Sequence, residues 1–145
     1  MRVLVFLLLF SFLGSPFAVA EGLSVYSSST GTSGTVLDLG GGFQTYQDNQ
    51  GRSGTIMDLG GGLTTFRDNQ GTTGTILDLG GGFKTFQNNQ GTVGTIQDLG
   101  GGLQTYHDSR GTTGTIQDFG GGLQSFQFTT PGRAPAFGTI QDFGR

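Results

Sequence analysis

Cysteine and tryptophan are absent from this chain, histidine occurs once, proline three times, and only 12% of the residues are charged. Each scarcity closes something off. Without cysteine there is no disulfide to brace the chain in an oxidising compartment, and no cysteine to carry a lipid after a leader. A zinc cluster or a hydrolytic triad has too few parts. The one histidine, His107, occupies a position held elsewhere by Gln47, Arg67 and Gln87, which reads as an exposed strand site. Residues 21–145 carry six basic against ten acidic side chains, a net charge of about −4. Phosphate binding needs clustered Lys and Arg, so nucleic acid is not the expected partner. No Asn-x-Ser/Thr acceptor is present, and beyond residue 20 no apolar run is long enough to span a bilayer as a helix.

What is present begins with a leader. Arg2 supplies a positive charge, and Val3 to Leu13 is apolar apart from Ser11. Gly14, Ser15 and Pro16 then break any helix, and Ala18-Val19-Ala20 offers the small-x-small pattern of a cleavage site. Residues 1–20 are therefore expected to be a signal peptide, and the remainder to be exported to the periplasm or the cell exterior, with no transmembrane segment after cleavage. The Ala-x-Ala site and the missing glycosylation acceptors point to a bacterial source.

Past a lead-in over residues 21–33, the chain repeats itself every 20 residues. Gly34-Thr35-Val36-Leu37-Asp38-Leu39-Gly40-Gly41-Gly42 returns at Gly54, Gly74, Gly94 and Gly114, and in truncated form from Gly138. Between these blocks lies a second, Phe43-Gln44-Thr45-Tyr46-Gln47-Asp48-Asn49-Gln50-Gly51 in its first copy. Residues 34–145 thus form one repeat domain of five copies and a partial sixth, with a proline-bearing irregular loop expected over 129–137.

Each unit reads as strand, turn, strand, turn. Ile56–Leu59 and Leu63–Phe66 are short, β-branched or aromatic, and bounded by glycine. Gly60-Gly61-Gly62 suits a tight reversal with positive φ. Asp68-Asn69-Gln70-Gly71 suits a turn in which the Asp carboxylate holds backbone N–H groups. The expected class is all-β, either an antiparallel meander of hairpins or a β-solenoid with like residues stacked. The meander is preferred because a solenoid would ladder Asp38, Asp58, Asp78, Asp98 and Asp118 at like-charge contact. Apolar residues three apart, such as Ile56 and Leu59, imply that both sheet faces are partly covered or that a bulge intervenes.

Several resemblances follow from these residues. Asp-Leu-Gly-Gly-Gly at Asp38, Asp58, Asp78 and Asp98 looks like the phosphate motif of the actin-like ATPases, but that family places it once, in a two-lobed domain larger than this chain; a glycine turn is the reading taken. The Gly and Asp content is similar to that of the calcium-binding RTX repeats, which would make Asp38, Asp58, Asp78, Asp98 and Asp118 the calcium candidates, although the period here is 20 rather than nine. In pattern the unit also resembles secreted strand–turn–strand repeats of the curli type, through Asn49-Gln50, Asn69-Gln70 and Asn89-Gln90, and bacterial hairpin repeats of the YD and MORN types, through Tyr46-Gln47-Asp48-Asn49-Gln50-Gly51. With no catalytic constellation in an exported repeat, the expected role is that of a non-enzymatic structural or binding protein of the envelope or extracellular space, with no cofactor. Self-assembly into a matrix or fibre is the alternative, encouraged by a last strand expected to be unpaired, and calcium binding is a second. The aromatic row Tyr46, Phe66, Phe86, Tyr106 and Phe126 is expected to be core. The threonine row Thr35, Thr55, Thr75, Thr95 and Thr115 is expected on the surface, where a flat face would also match ice.

Overall fold

A computed structural model describes residues 22–143; the expected signal peptide lies outside the described residues. Twelve strands follow one another: β1 Gly22–Ser28, β2 Ser33–Asp38, β3 Phe43–Asp48, β4 Ser53–Asp58, β5 Leu63–Asp68, β6 Thr73–Asp78, β7 Phe83–Asn88, β8 Val93–Asp98, β9 Leu103–Asp108, β10 Thr113–Asp118, β11 Leu123–Thr129 and β12 Ala136–Asp142. Every strand pairs antiparallel with its neighbours in sequence, and β12 pairs with β1, so the meander closes into a barrel. The antiparallel meander is the architecture, and the solenoid is not.

Alternation along each strand decides which side chains enter the barrel. At mid-height each strand sends one inward. β1, β3, β5, β7, β9 and β11 send Tyr26, Tyr46, Phe66, Phe86, Tyr106 and Phe126; the intervening strands send Val36, Ile56, Ile76, Ile96, Ile116 and Ile140. All twelve are buried and, with Phe128, form one core. Eight-stranded barrels fill readily with side chains, whereas sixteen leave a channel. Twelve strands need bulk, and an aromatic ring on every second strand supplies it. Phe86 stacks on Tyr106 at 5.5 Å between ring centroids, and Phe128 meets Tyr106 edge-on at 5.8 Å. Each such burial contributes about 1.5–3 kcal/mol.

The glycine that opens each repeat is not punctuation but part of the wall. Gly74 lies in β6 opposite Phe66 of β5, and a Cβ there would sit 2.3 Å from Phe66 Cζ and 2.4 Å from the Gln87 carbonyl oxygen. The ring folds over the neighbouring strand at the one residue with nothing to obstruct it. Tyr26 over Gly34, Tyr46 over Gly54 and Phe86 over Gly94 repeat the arrangement. Over Gly114 the ring belongs to Phe128.

Three details differ from the sequence expectations. The last strand is not unpaired: Gly138 to Asp142 face Ser28 to Ser24. Residues 129–137 are not all loop, because β11 continues through Thr129 and β12 starts at Ala136. Phe128 stands where other copies carry a turn-capping Asp or Asn, so the strand runs on. Residues 21–33 are more than a lead-in, since β1 starts at Gly22 and its Tyr26 fills an inward aromatic site. Of the two readings of the three-residue apolar spacing, apolar cover on both faces holds and no bulge is needed: Ile56 and Phe66 point inward in unbroken register, while Leu63 faces out and Leu59 lies past the strand end.

Candidate functional site

The two ends of the barrel are built from different turns and have different chemistry. At one end, the glycine rim, each hairpin turns through three glycines. Gly40, Gly41 and Gly42 have φ of 80°, 63° and 79°, and Phe43 N–H donates to the Gly40 carbonyl at 3.1 Å. Two central residues with positive φ give the primed turn that matches strand twist, and glycine is the residue that adopts it without strain. Asp38 accepts the Gly40 N–H at 2.8 Å, and Asp58, Asp78, Asp98 and Asp118 do the same for Gly60, Gly80, Gly100 and Gly120 at 2.7–2.8 Å. Asp58 N–H also donates to the Gly42 carbonyl, tying one hairpin to the next.

The calcium candidates are therefore five turn caps, one per repeat, separated from each other by an intervening strand. Among the described residues no three acidic or histidine side chains form a group that could hold a metal ion. Lys84 reaches Asp78 at 3.6 Å on this rim.

Beside each capping Asp stands an apolar residue that the capping does not use. Leu39, Leu59, Leu79, Leu99, Phe119 and Phe143 are 48–64% exposed, one at the tip of each unit. One step down the outer wall lies a second set that includes Leu23, Leu37, Met57, Leu77, Phe83 and Leu123, each 36–43% exposed. Together they make an apolar collar around the glycine rim. In the sequence these residues look like the ends of apolar strand segments such as Ile56–Leu59, and their residue types do not mark them as exposed. The available signal was that Leu or Phe follows the Asp in every copy, at a position outside the alternation.

At the other end, the amide rim, the turns carry carboxylates and amides. Asp48 Oδ1 accepts the N–H groups of Gln50 and Arg52, each at 2.9 Å. Asp68, Asn88 and Asp108 hold the corresponding pairs. Asn69 clasps the preceding turn, accepting from Ser53 N–H at 3.2 Å and donating to the Gly51 carbonyl at 2.9 Å. Asn49 and Asn89 repeat the clasp. Instead of stacking in ladders, the asparagines each bind a neighbouring backbone.

Buried polar groups lie just inside this rim. Arg52 Nε donates to Asp48 Oδ2 at 2.7 Å with both side chains almost wholly buried. Asp108, 2% exposed, accepts a hydrogen bond from the Tyr106 hydroxyl at 2.9 Å. The Tyr26 hydroxyl is buried and has no hydrogen-bond partner among the described residues. Burial, aided by the Asp48 charge, pushes its pKa up to about 12. Burial likewise raises Tyr46, with Asp68 adding to it, and Tyr106, with Asp108 adding to it.

The outer wall between the rims is a threonine belt. Thr45 pairs with Thr55, Thr65 with Thr75, Thr85 with Thr95 and Thr105 with Thr115. The row is outside, as expected, but it wraps a closed wall instead of lying on a flat face. A shallow open depression of about 390 Å³ on it is lined by Thr55, Met57, Thr65, Arg67, Thr73 and Thr75, among others. His107 is exposed on the same wall, opposite Thr95 and Thr113. No helix among the described residues is long and apolar enough to cross a membrane. The wall is also unlike that of a membrane-spanning barrel, which has strands of about 9–11 residues, apolar side chains out and polar ones in. Here most strands have six residues, threonine faces out and the inside is aromatic and aliphatic.

Compared with protein families, curated proteins and solved structures, the chain matches none.

Proposed function

We propose that this protein is an exported, non-enzymatic barrel that acts as a structural or binding module in the cell envelope or extracellular space. The observation that carries the reading is how the repeated polar groups are used. Each Asp or Asn of the unit is engaged in its own or an adjacent turn, so the conspicuous carboxylates serve architecture. Catalytic sites draw instead on a few groups in distinct environments. The outer wall, by contrast, presents a regular belt of threonine hydroxyls and an apolar collar, which are features of a surface that meets another surface.

The test is to express the full chain in a bacterium, fractionate the cells, and read the mass and N-terminus of the product. An envelope or extracellular protein beginning at Glu21 is expected; a cytoplasmic product starting at Met1 refutes export. Light scattering coupled to size exclusion, with calcium and with chelator, then separates the roles. A compact monomer in both buffers is the expected result. Calcium-independent growth into large species would replace this reading with a self-assembling matrix subunit, and compaction only with calcium would replace it with a calcium-binding repeat protein.

A further inference from the structure

We propose that the apolar collar of the glycine rim docks on the surface of a lipid bilayer, a partner that deepens, and rests on, the envelope reading above. Three observations converge on this end of the barrel. The first is its shape. Leu39, Leu59, Leu79, Leu99, Phe119 and Phe143 stand one at the tip of each unit around a closed ring, so all six can meet a single surface at once. Leu39, Leu59, Leu79, Leu99 and Phe119 are each followed by three glycines, whose missing side chains let those turns approach that surface closely.

The second is depth. Tip and wall residues, such as Leu39 and Leu37, are two positions apart, about 7 Å along an extended chain. Above them the threonine belt begins. An apolar zone of that height matches the roughly 5–10 Å to which interfacial elements enter the headgroup–acyl boundary, and falls well short of a span.

The third is where the chain enters the barrel. β1 begins at Gly22 beside Asp38, with Leu23 opposite Leu37, at this same rim. Eight residues separate the end of the apolar run Val3–Leu13 from Gly22. The collar is thus the rim at which that apolar run joins the barrel along the chain.

Charge specifies the lipid. The glycine rim carries Asp38, Asp58, Asp78, Asp98, Asp118 and Asp142 against Lys84, whereas Arg52, Arg67, Arg110 and Arg133 lie towards the amide rim. An acidic collar is repelled by anionic headgroups and tolerated by zwitterionic ones. The same repulsion opposes pairing two collars face to face.

Flotation of the exported protein with phosphatidylcholine vesicles tests this. The variant Leu39→Asn, Leu59→Asn, Leu79→Asn, Leu99→Asn changes only exposed tips, and circular dichroism checks that it folds. The variant Val93→Asn, Phe137→Asn alters exposed apolar residues away from the collar. The expected result is flotation of the parent and of the second variant, at least a tenfold loss in the first, and weakening when phosphatidylglycerol is added. Absence of parent flotation, or flotation undiminished in the tip variant, overturns the proposal. Binding to anionic vesicles alone overturns it in favour of the arginines of the other rim. A parent dimer that the tip variant splits, without vesicle binding, overturns it in favour of a second copy. If the N-terminus is not Glu21, export fails separately, and docking is still read from tip variant against parent.

Discussion

One added methyl group distinguishes two kinds of glycine in this wall. At Gly74 it would collide with Phe66 and with the backbone of β7; at Gly80 it would meet open space but at a φ of 80°. Gly74→Ala is expected to destabilise by about 1–3 kcal/mol through overpacking, measured by urea unfolding. Adding Phe66→Leu should return part of that loss, because the two residues are in contact and their effects couple. Gly80→Ala is expected to cost about 1–2 kcal/mol from backbone conformation alone, and Phe66→Leu should return none of it. The tyrosines give a second test at this scale. All three, Tyr26, Tyr46 and Tyr106, are buried and have raised pKa values. Since the folded state holds these protons more tightly than the unfolded chain, their stabilisation is complete below about pH 10 and declines as pH rises towards and beyond 12. Tyrosinate absorbance should therefore appear late and together with loss of structure, and Tyr26→Phe should reduce the slope of stability against pH in that window. Early titration of all three in a folded protein would contradict the burial.

At the scale of the element, the hairpin unit is held by its two turns in different ways. The glycine turn is fixed by its own backbone, one carboxylate and a backbone bond from the next hairpin, while the amide turn is clasped by a neighbour's side chain. Asn69→Ala removes both arms of one clasp and is expected to cost about 1–2 kcal/mol. Hydrogen exchange should quicken at Ser53 N–H, leaving the glycine turns unaffected. The turns were the legible part of the sequence, because Gly-Gly-Gly and Asp-Asn-Gln-Gly have few conformations open to them. The strands were read less well. Gly74 looked like a boundary since its partner, Phe66, covers it from another strand, and one strand's pattern does not record a neighbour's ring. β1 went unread because Ser28, Ser29 and Thr30 replace the Asp-Asn-Gln signature, although Tyr26 keeps its place. The collar was missed for a related reason: Leu59 and Leu63 are as apolar as core residues, and only the closed wall shows that they lie outside.

For the whole molecule, the split sixth unit defines the architecture. Its first half is β12 and its second is β1, brought from opposite ends of the chain. Phe143 N–H donates to the Leu23 carbonyl at 2.8 Å, the same bond that Leu39 makes to Phe43 across a glycine turn. The ends thus already have the geometry of a turn. A circular permutant that joins Phe143 to Leu23 through three glycines, and opens instead between Gln90 and Gly91, is expected to keep the strand content and to be at least as stable towards urea. A permutant that fails to fold would mean that the seam between β1 and β12 is not equivalent to the other units. Pairing between residues 22–28 and 136–142 is also the contact that no local pattern could reveal, as identical hairpins specify a neighbour but not where the ring ends.

That seam also sets an order in time. Among the described residues the earliest strand, β1, pairs with the latest, β12, so closure waits for β12, and until then both edges of the growing meander stay open. Under the export proposed above, such a delay is an advantage, because a pore passes an unfinished meander more easily than a sealed barrel. Stalling synthesis before Ala136 should leave a chain that proteases digest readily, and release of the final strand should make it resistant in a single step.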